Sequence, residues 1–107
     1  MSRAPAEDTS VVVLPLNAVI RTDGTWEESL PSSGDKYSLG ELMDAVGGGY
    51  IELVRLHDGR LLVCDDSGRI HGLPFNAVAT ALYWIGRPSS VDWIAGDVLV
   101  CESWRID

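Results

Sequence analysis

Residues 47–76, GGGYIELVRLHDGRLLVCDDSGRIHGLPFN, constrain the fold more than any other stretch of this chain. A glycine run able to stop a helix is followed by an apolar run, an Asp58-Gly59 turn and a second apolar run. Asp-Gly between two such runs is a strong short-range hairpin signal. A second turn at Asp66-Ser67-Gly68 and a helix start at Asn76 complete the stretch. Two hairpin registers remain open. A two-residue type I′ turn pairs Leu56 with Leu61, Val54 with Val63 and Glu52 with Asp65, which sets two carboxylates opposite each other, normally a destabilising pair. A type I turn with Gly59 at the bulge pairs Arg55 with Leu61 and Leu53 with Val63.

Around this centre the chain reads as a loose leader at 1–10 and a single α+β domain over 11–107, a usual size for one domain. VVVLPLNAVI at 11–20 is β-branched and predicts a strand, with Pro15 marking an edge or a break. TWEESL at 25–30 predicts a further short strand after the turn at 21–24. Ser38 and Glu41 form a capping box, and Leu39, Leu42, Met43 and Val46 then fall on one helical stripe. Gly47-Gly48-Gly49 ends that helix. Asn76 after the Pro74 break caps a second helix, with Val78, Ala81, Leu82 and Ile85 as its stripe and Gly86-Arg87-Pro88 as its stop. VLVCESW supplies a final strand. The predicted fold is α+β, a mostly antiparallel sheet of four to five strands with two short helices packed on one face.

Sixteen acidic against eight basic residues leave a formal charge of −8. Binding a phosphate backbone directly needs clustered Lys and Arg, and none cluster in this sequence, so no direct nucleic-acid binding is expected. The acidity favours solubility and steers the domain toward a basic partner. No apolar run approaches the roughly 20 residues of a membrane span, and no stretch has the pattern of a secretory signal. The expectation is a cytoplasmic protein with no membrane contact, its self-association left open. Cys64 and Cys101, each inside an apolar run, read as small buried hydrophobes.

No constellation carries recognisable catalysis. His57, Cys64, His71 and Cys101 have the composition of a zinc site but not the tight paired spacing of one. A reactive thiol needs exposure and a positive neighbour, and strand alternation buries at least one of the two cysteines; no local signature supports a Cys–His pair. Glu52 and Asp65 could share a raised pKa or, with Asp66, hold a divalent cation; solvated strand-end carboxylates are the simpler reading. The glycines match no phosphate loop. Neither a catalytic residue nor a metal or other cofactor is expected. The four tryptophans are more suggestive. Trp84 near a helix end and Trp93 in a loop are placed as interface anchors, although aromatics serve cores equally well.

GGGYIELVRL, LLVCDDSGRIHGLPFNAVATALY and IAGDVLV together resemble a DUF3846-like family of small proteins found in bacteriophages, prophages, plasmids and actinobacteria. The shared pattern falls on Gly48, Gly49, Tyr50, Glu52, Asp65, Gly68, Gly72, Leu73, Pro74, Asn76, Ala79, Thr80, Gly96, Asp97 and Val98 and spans residues 39–101. The segment TDGTWEESLPSSG departs from it. The resemblance implies a mobile-element protein acting inside a bacterial host and implies no reaction. Most matching residues are scaffold. The polar exceptions Tyr50, Glu52, Asp65, Asn76 and Thr80 are the candidate ligand-binding set, should the fold bring them together. The leading expectation is a non-enzymatic accessory protein that binds a host protein through an acidic, aromatic surface. The alternative is a protein that binds or sequesters a small nucleotide-like signal.

Overall fold

The computed structural model describes residues 14–106; the leader at 1–10 and the start of the first predicted strand lie outside them. The elements run β1 (Ala18–Ile20), β2 (Trp26–Glu28), α1 (Leu39–Ala45), β3 (Ile51–Arg55), β4 (Leu61–Asp65), α2 (Ala77–Trp84) and β5 (Val98–Cys101), then a 3₁₀ turn at Ser103–Arg105. The strands form one sheet in the order β2-β1-β5-β4-β3, antiparallel at every pairing. This is the predicted α+β class with five strands and two helices. No helix among the described residues is long and apolar enough to cross a membrane.

The last strand in sequence is the central strand in space, and all four of its residues are buried. An uninterrupted VLVC run is what a strand covered on both faces requires. Its alternation divides the core. Val98 and Val100 pack with Ile20, Leu62, Cys64 and the α2 residue Ala79. Leu99 and Cys101 pack with Val63, Tyr37, Leu42 of α1 and Val46 at its C-cap. The two helices therefore cover opposite faces, and the expectation that both lie on one face is corrected. The reason is that β5 and β4 present apolar side chains to both sides, and each side must be shielded from water.

The hairpin adopts the bulged register. Gly59 sits at φ +88°, Leu56 N–H donates to the Arg60 carbonyl at 2.8 Å, and Arg55 stands opposite Leu61 and Leu53 opposite Val63. Glu52 then faces Cys64 and Asp65 faces Ile51, so the two carboxylates are not directly opposed and their repulsion is relieved.

Both helices begin where expected. The Ser38–Glu41 capping box is formed, and Asn76 accepts from Ala79 N–H. Their buried faces are shifted from the predicted stripes. Leu39 is exposed while Leu42 and Val46 are buried. In α2 the fully buried positions are Ala79 and Thr80, flanked by half-buried Val78 and Leu82, while Ala81 and Ile85 are exposed. Asn76 causes the shift in α2. Its buried side chain reaches the carbonyls of Ile20 and Gly96, which rolls the first turn inward around 79 and 80.

Candidate functional site

Two loops meet beside the β3–β4 edge. The loop after β4 winds into successive turns, with Ser67 N–H donating to Asp65 Oδ1, His71 N–H to the Ser67 carbonyl and Leu73 N–H to the Gly68 carbonyl. The loop after α2 returns across it. A bridge between Phe75 and Ala95, with Asn76 N–H on the Ile94 carbonyl and Gly96 N–H on the Pro74 carbonyl, sews the two together. Gly68 permits that approach, because a Cβ there would stand 3.1 Å from the Ala95 carbonyl oxygen.

Between these loops and the sheet lies a cleft of about 190 Å³. Glu52, Val54 and Cys64 line it from the sheet, Tyr83 from α2, and Asp66, Arg69, Asp92 and Trp93 from the loops. Arg69 spans the two loops. Its guanidinium lies 3.3 Å from Asp92 and 4.6 Å above the Trp93 ring. Trp84 Nε1 donates to the Asp92 carbonyl at 2.7 Å, so both tryptophans are held by one short segment. Each stays close to half exposed, and Ile70, which lines the cleft with Trp93, is 88% exposed. The lip of the cleft is thus apolar and aromatic, and its carboxylates outnumber its one cation, which Asp92 already pairs.

The predicted ligand-binding residues divide into three groups. Glu52 and Asp65 both border the cleft. The Asp65 carboxylate is nearly buried, however, pressed against Gly49, accepting from Ser67 N–H and 3.5 Å from His71 Nδ1. Tyr50 is 80% exposed and outside the cleft, its carbonyl accepting from Asp66 N–H. Asn76 and Thr80 are buried beneath the loop. Thr80 Oγ1 accepts from Ile94 N–H at 2.9 Å and donates to the Ile94 carbonyl, while Asn76 holds Ile20 and Gly96. Their polar atoms are occupied in seating the segment that carries Trp93. Arg69, Asp92, Ile70 and Tyr83 escaped sequence reasoning, since no local pattern distinguishes them from surface residues.

The thiols have the opposite of nucleophile character. Burial, reinforced by Glu52 and Asp65, pushes Cys64 up to about 12, and burial pushes Cys101 up to about 11. They also lie on opposite faces of the sheet, where no single ion could reach both.

No curated protein and no solved structure gives a significant match to this chain. The model of one family, described as "Domain of unknown function (DUF3846)", matches residues 18–105, which takes in every strand and helix of the fold together with the cleft. The chain belongs to the DUF3846 family.

Proposed function

We propose that this chain is a non-enzymatic binding protein that docks on a basic surface of a protein partner through the face around the cleft. In the mobile-element setting that the family resemblance suggests, the partner is a protein of the bacterial host and the encounter takes place in its cytoplasm. One observation carries the reading: Ile70 and Trp93, both exposed, line the cleft with Glu52, Asp66 and Asp92, and exposed Trp84 is tied to the same segment through the Asp92 carbonyl. Water around these apolar side chains is released on docking, and the surrounding carboxylates select a cationic counterpart.

The test is retention of a host protein on immobilised wild type compared with Ile70→Ser and Trp93→Ala, at ~50 mM and ~500 mM salt. Retention of one protein at low salt, reduced by high salt and by either substitution, is the expected result. Equal retention by wild type and both variants removes this face from the function.

A second reading, capture of a small ligand, is favoured by the concavity itself. At about 190 Å³ the cleft is smaller than the roughly 300 Å³ at which drug-sized sites begin, so it suits a single ring or side chain. Its surplus of carboxylates favours a neutral or cationic group over a phosphate. A small molecule retained through purification and seen by native mass spectrometry would promote this reading.

A further inference from the structure

The two edges of the sheet differ in character. At one, β2 is only three residues long, two of them Glu, and Arg21 pairs with Glu27. Short, charged edges resist pairing with another chain. At the other, β3 runs five residues, Ile51–Arg55, in unbroken register with β4 and without Pro or Lys. Its backbone groups divide by alternation. Leu56 N–H on the Arg60 carbonyl and Asp66 N–H on the Tyr50 carbonyl bracket the β3–β4 ladder, so Glu52 and Val54 are the residues between that bond to β4. Ile51, Leu53 and Arg55 turn their N–H and C=O groups outward. In keeping with this, the Arg55 carbonyl accepts from Arg87 Nη2 at 2.7 Å. Among the described residues, nothing pairs with the outward groups of Ile51 and Leu53. The side chains of this edge also divide. Glu52 and Val54 line the acidic cleft with Asp66, Asp92 and Trp93. Ile51 and Leu53 lie on the α1 side, where Ile51 packs against the core cluster that contains Val63 and Leu53 is 46% exposed.

We propose that β3 receives an extended segment of the protein partner as a sixth strand, with Lys or Arg on its cleft side and apolar residues on its other side. This rests on the reading of the cleft face as a docking surface and specifies what the partner contributes to it. Ile51 and Leu53 each offer one donor and one acceptor, which the backbone of any extended segment can fill. Side-chain alternation then supplies the selection. Partner residues opposite Ile51 and Leu53 share the α1 side with them, beside apolar surface, and the residue opposite Glu52 faces the cleft. A cation there meets Glu52 across the strands, in a cleft that Asp66 and Asp92 also line. Arg87 already fills the Arg55 carbonyl, which leaves Ile51 and Leu53 as the principal landing positions. A second copy of β3 fits this edge less well. Antiparallel self-pairing about Leu53 sets the two Glu52 side chains diagonally on one face and joins two chains of charge −8.

The experiment is an NMR titration of the full chain with three short peptides, one alternating lysine with valine, the same peptide N-methylated at its valines, and one alternating glutamate with valine. Amide exchange at 51 and 53 should slow about tenfold at saturation with the lysine peptide, while 52 and 54, already bonded to β4, should hardly change. At ~50 mM salt the lysine peptide should bind about tenfold tighter than the glutamate peptide. N-methylation should weaken it about tenfold, since the donors toward β3 are lost. Leu53→Pro should do the same with the fold intact, because it removes an outward N–H and no ladder bond. The N-methyl comparison decides the matter should that variant fold poorly. Protection at 51 and 53 that survives Trp93→Ala supports the strand site even where the wider docking face fails. Shifts at Asp66, Asp92 and Trp93 with unaltered exchange at 51 and 53 overturn strand addition and leave the docking face standing. No saturable binding of the lysine peptide, or undiminished binding of its N-methylated form, also overturns it. Equal affinity for the glutamate peptide overturns the basic occupant. A dimer in sedimentation equilibrium that Leu53→Pro dissociates overturns it in favour of a second copy.

Discussion

Asn76 shows how much one side chain can decide. It is wholly buried, accepts from Ala79 N–H, and donates to the carbonyls of Ile20 and Gly96 at 3.1 and 2.9 Å. One amide thereby caps α2, anchors β1 and holds the turn before β5. Asn76→Ala should cost about 2–3 kcal/mol in urea denaturation, from the lost cap and two buried carbonyls left unpaired. Aspartate normally caps a helix as well as asparagine does. Here Asn76→Asp should be at least as damaging as alanine at neutral pH, because it turns a carboxylate toward two carbonyl oxygens in a buried site. A fully stable Asn76→Asp protein would disprove the bridging role. Glu41 makes a separate prediction. Its carboxylate accepts from Ser38 N–H at 2.9 Å and Ser32 N–H at 2.8 Å, and these bonds hold its pKa down to about 2 from an ordinary 4.5. A pKa depressed in the folded state means that the stabilisation is complete above 4.5 and disappears as the pH falls toward 2. Glu41→Gln should flatten the pH dependence of the melting temperature across that interval and leave it unaltered above.

Among the elements, glycines with the same backbone conformation serve different ends. Gly59 in the hairpin and Gly96 before β5 both have positive φ, +88° and +84°. Nothing lies within 4 Å of a Cβ at Gly59, whereas one at Gly96 would stand 2.8 Å from Leu73 Cδ1. Gly59→Ala should therefore cost about 1 kcal/mol, the backbone term alone. Gly96→Ala should cost about 2 kcal/mol or more, because Leu73 must also move. Thermal melts of the pair decide the ordering, and equal losses would mean that Leu73 yields freely. The hairpin also marks how far sequence reading reached. Asp58-Gly59 revealed the turn, and the repulsion between Glu52 and Asp65 already weighed against the unbulged register. Helix starts were legible because Ser38, Glu41 and Asn76 act on backbone groups three residues away. Helix faces were not. In helices of seven and eight residues, as α1 and α2 are, a stripe holds too few positions to fix the rotation, and Asn76 set that of α2 through carbonyls distant in sequence.

At the scale of the whole molecule, the candidate site is a product of chain return. The acidic cleft draws on β3, β4, α2 and two loops, and the Arg87 guanidinium reaches back 32 residues in sequence to the Arg55 carbonyl. Counting charges along the chain showed the acidity and two tryptophans suited to an interface. It missed Arg69 and Asp92, because single surface charges look alike until the fold joins their two loops. The same return made β5 central and placed the helices on opposite faces, so adjacent residues of one strand support different layers. Leu99 packs toward α1 and Val100 toward α2. Truncating either to alanine should cost roughly 2–4 kcal/mol, since both are buried at the middle of the sheet. The local consequences should differ. Hydrogen exchange of Leu99→Ala should accelerate chiefly in α1, 39–45, and that of Val100→Ala chiefly in α2, 77–84, under conditions where sub-global opening dominates. Loss of support for α2 also loosens the seat of the Trp93 loop, because Thr80 holds Ile94. Val100→Ala should consequently weaken partner retention by the acidic face, whereas Leu99→Ala, equally destabilised but still folded, should retain it. Identical exchange patterns in the two variants would mean that the helical layers open together, and the division of the core into two faces would then have no dynamic counterpart.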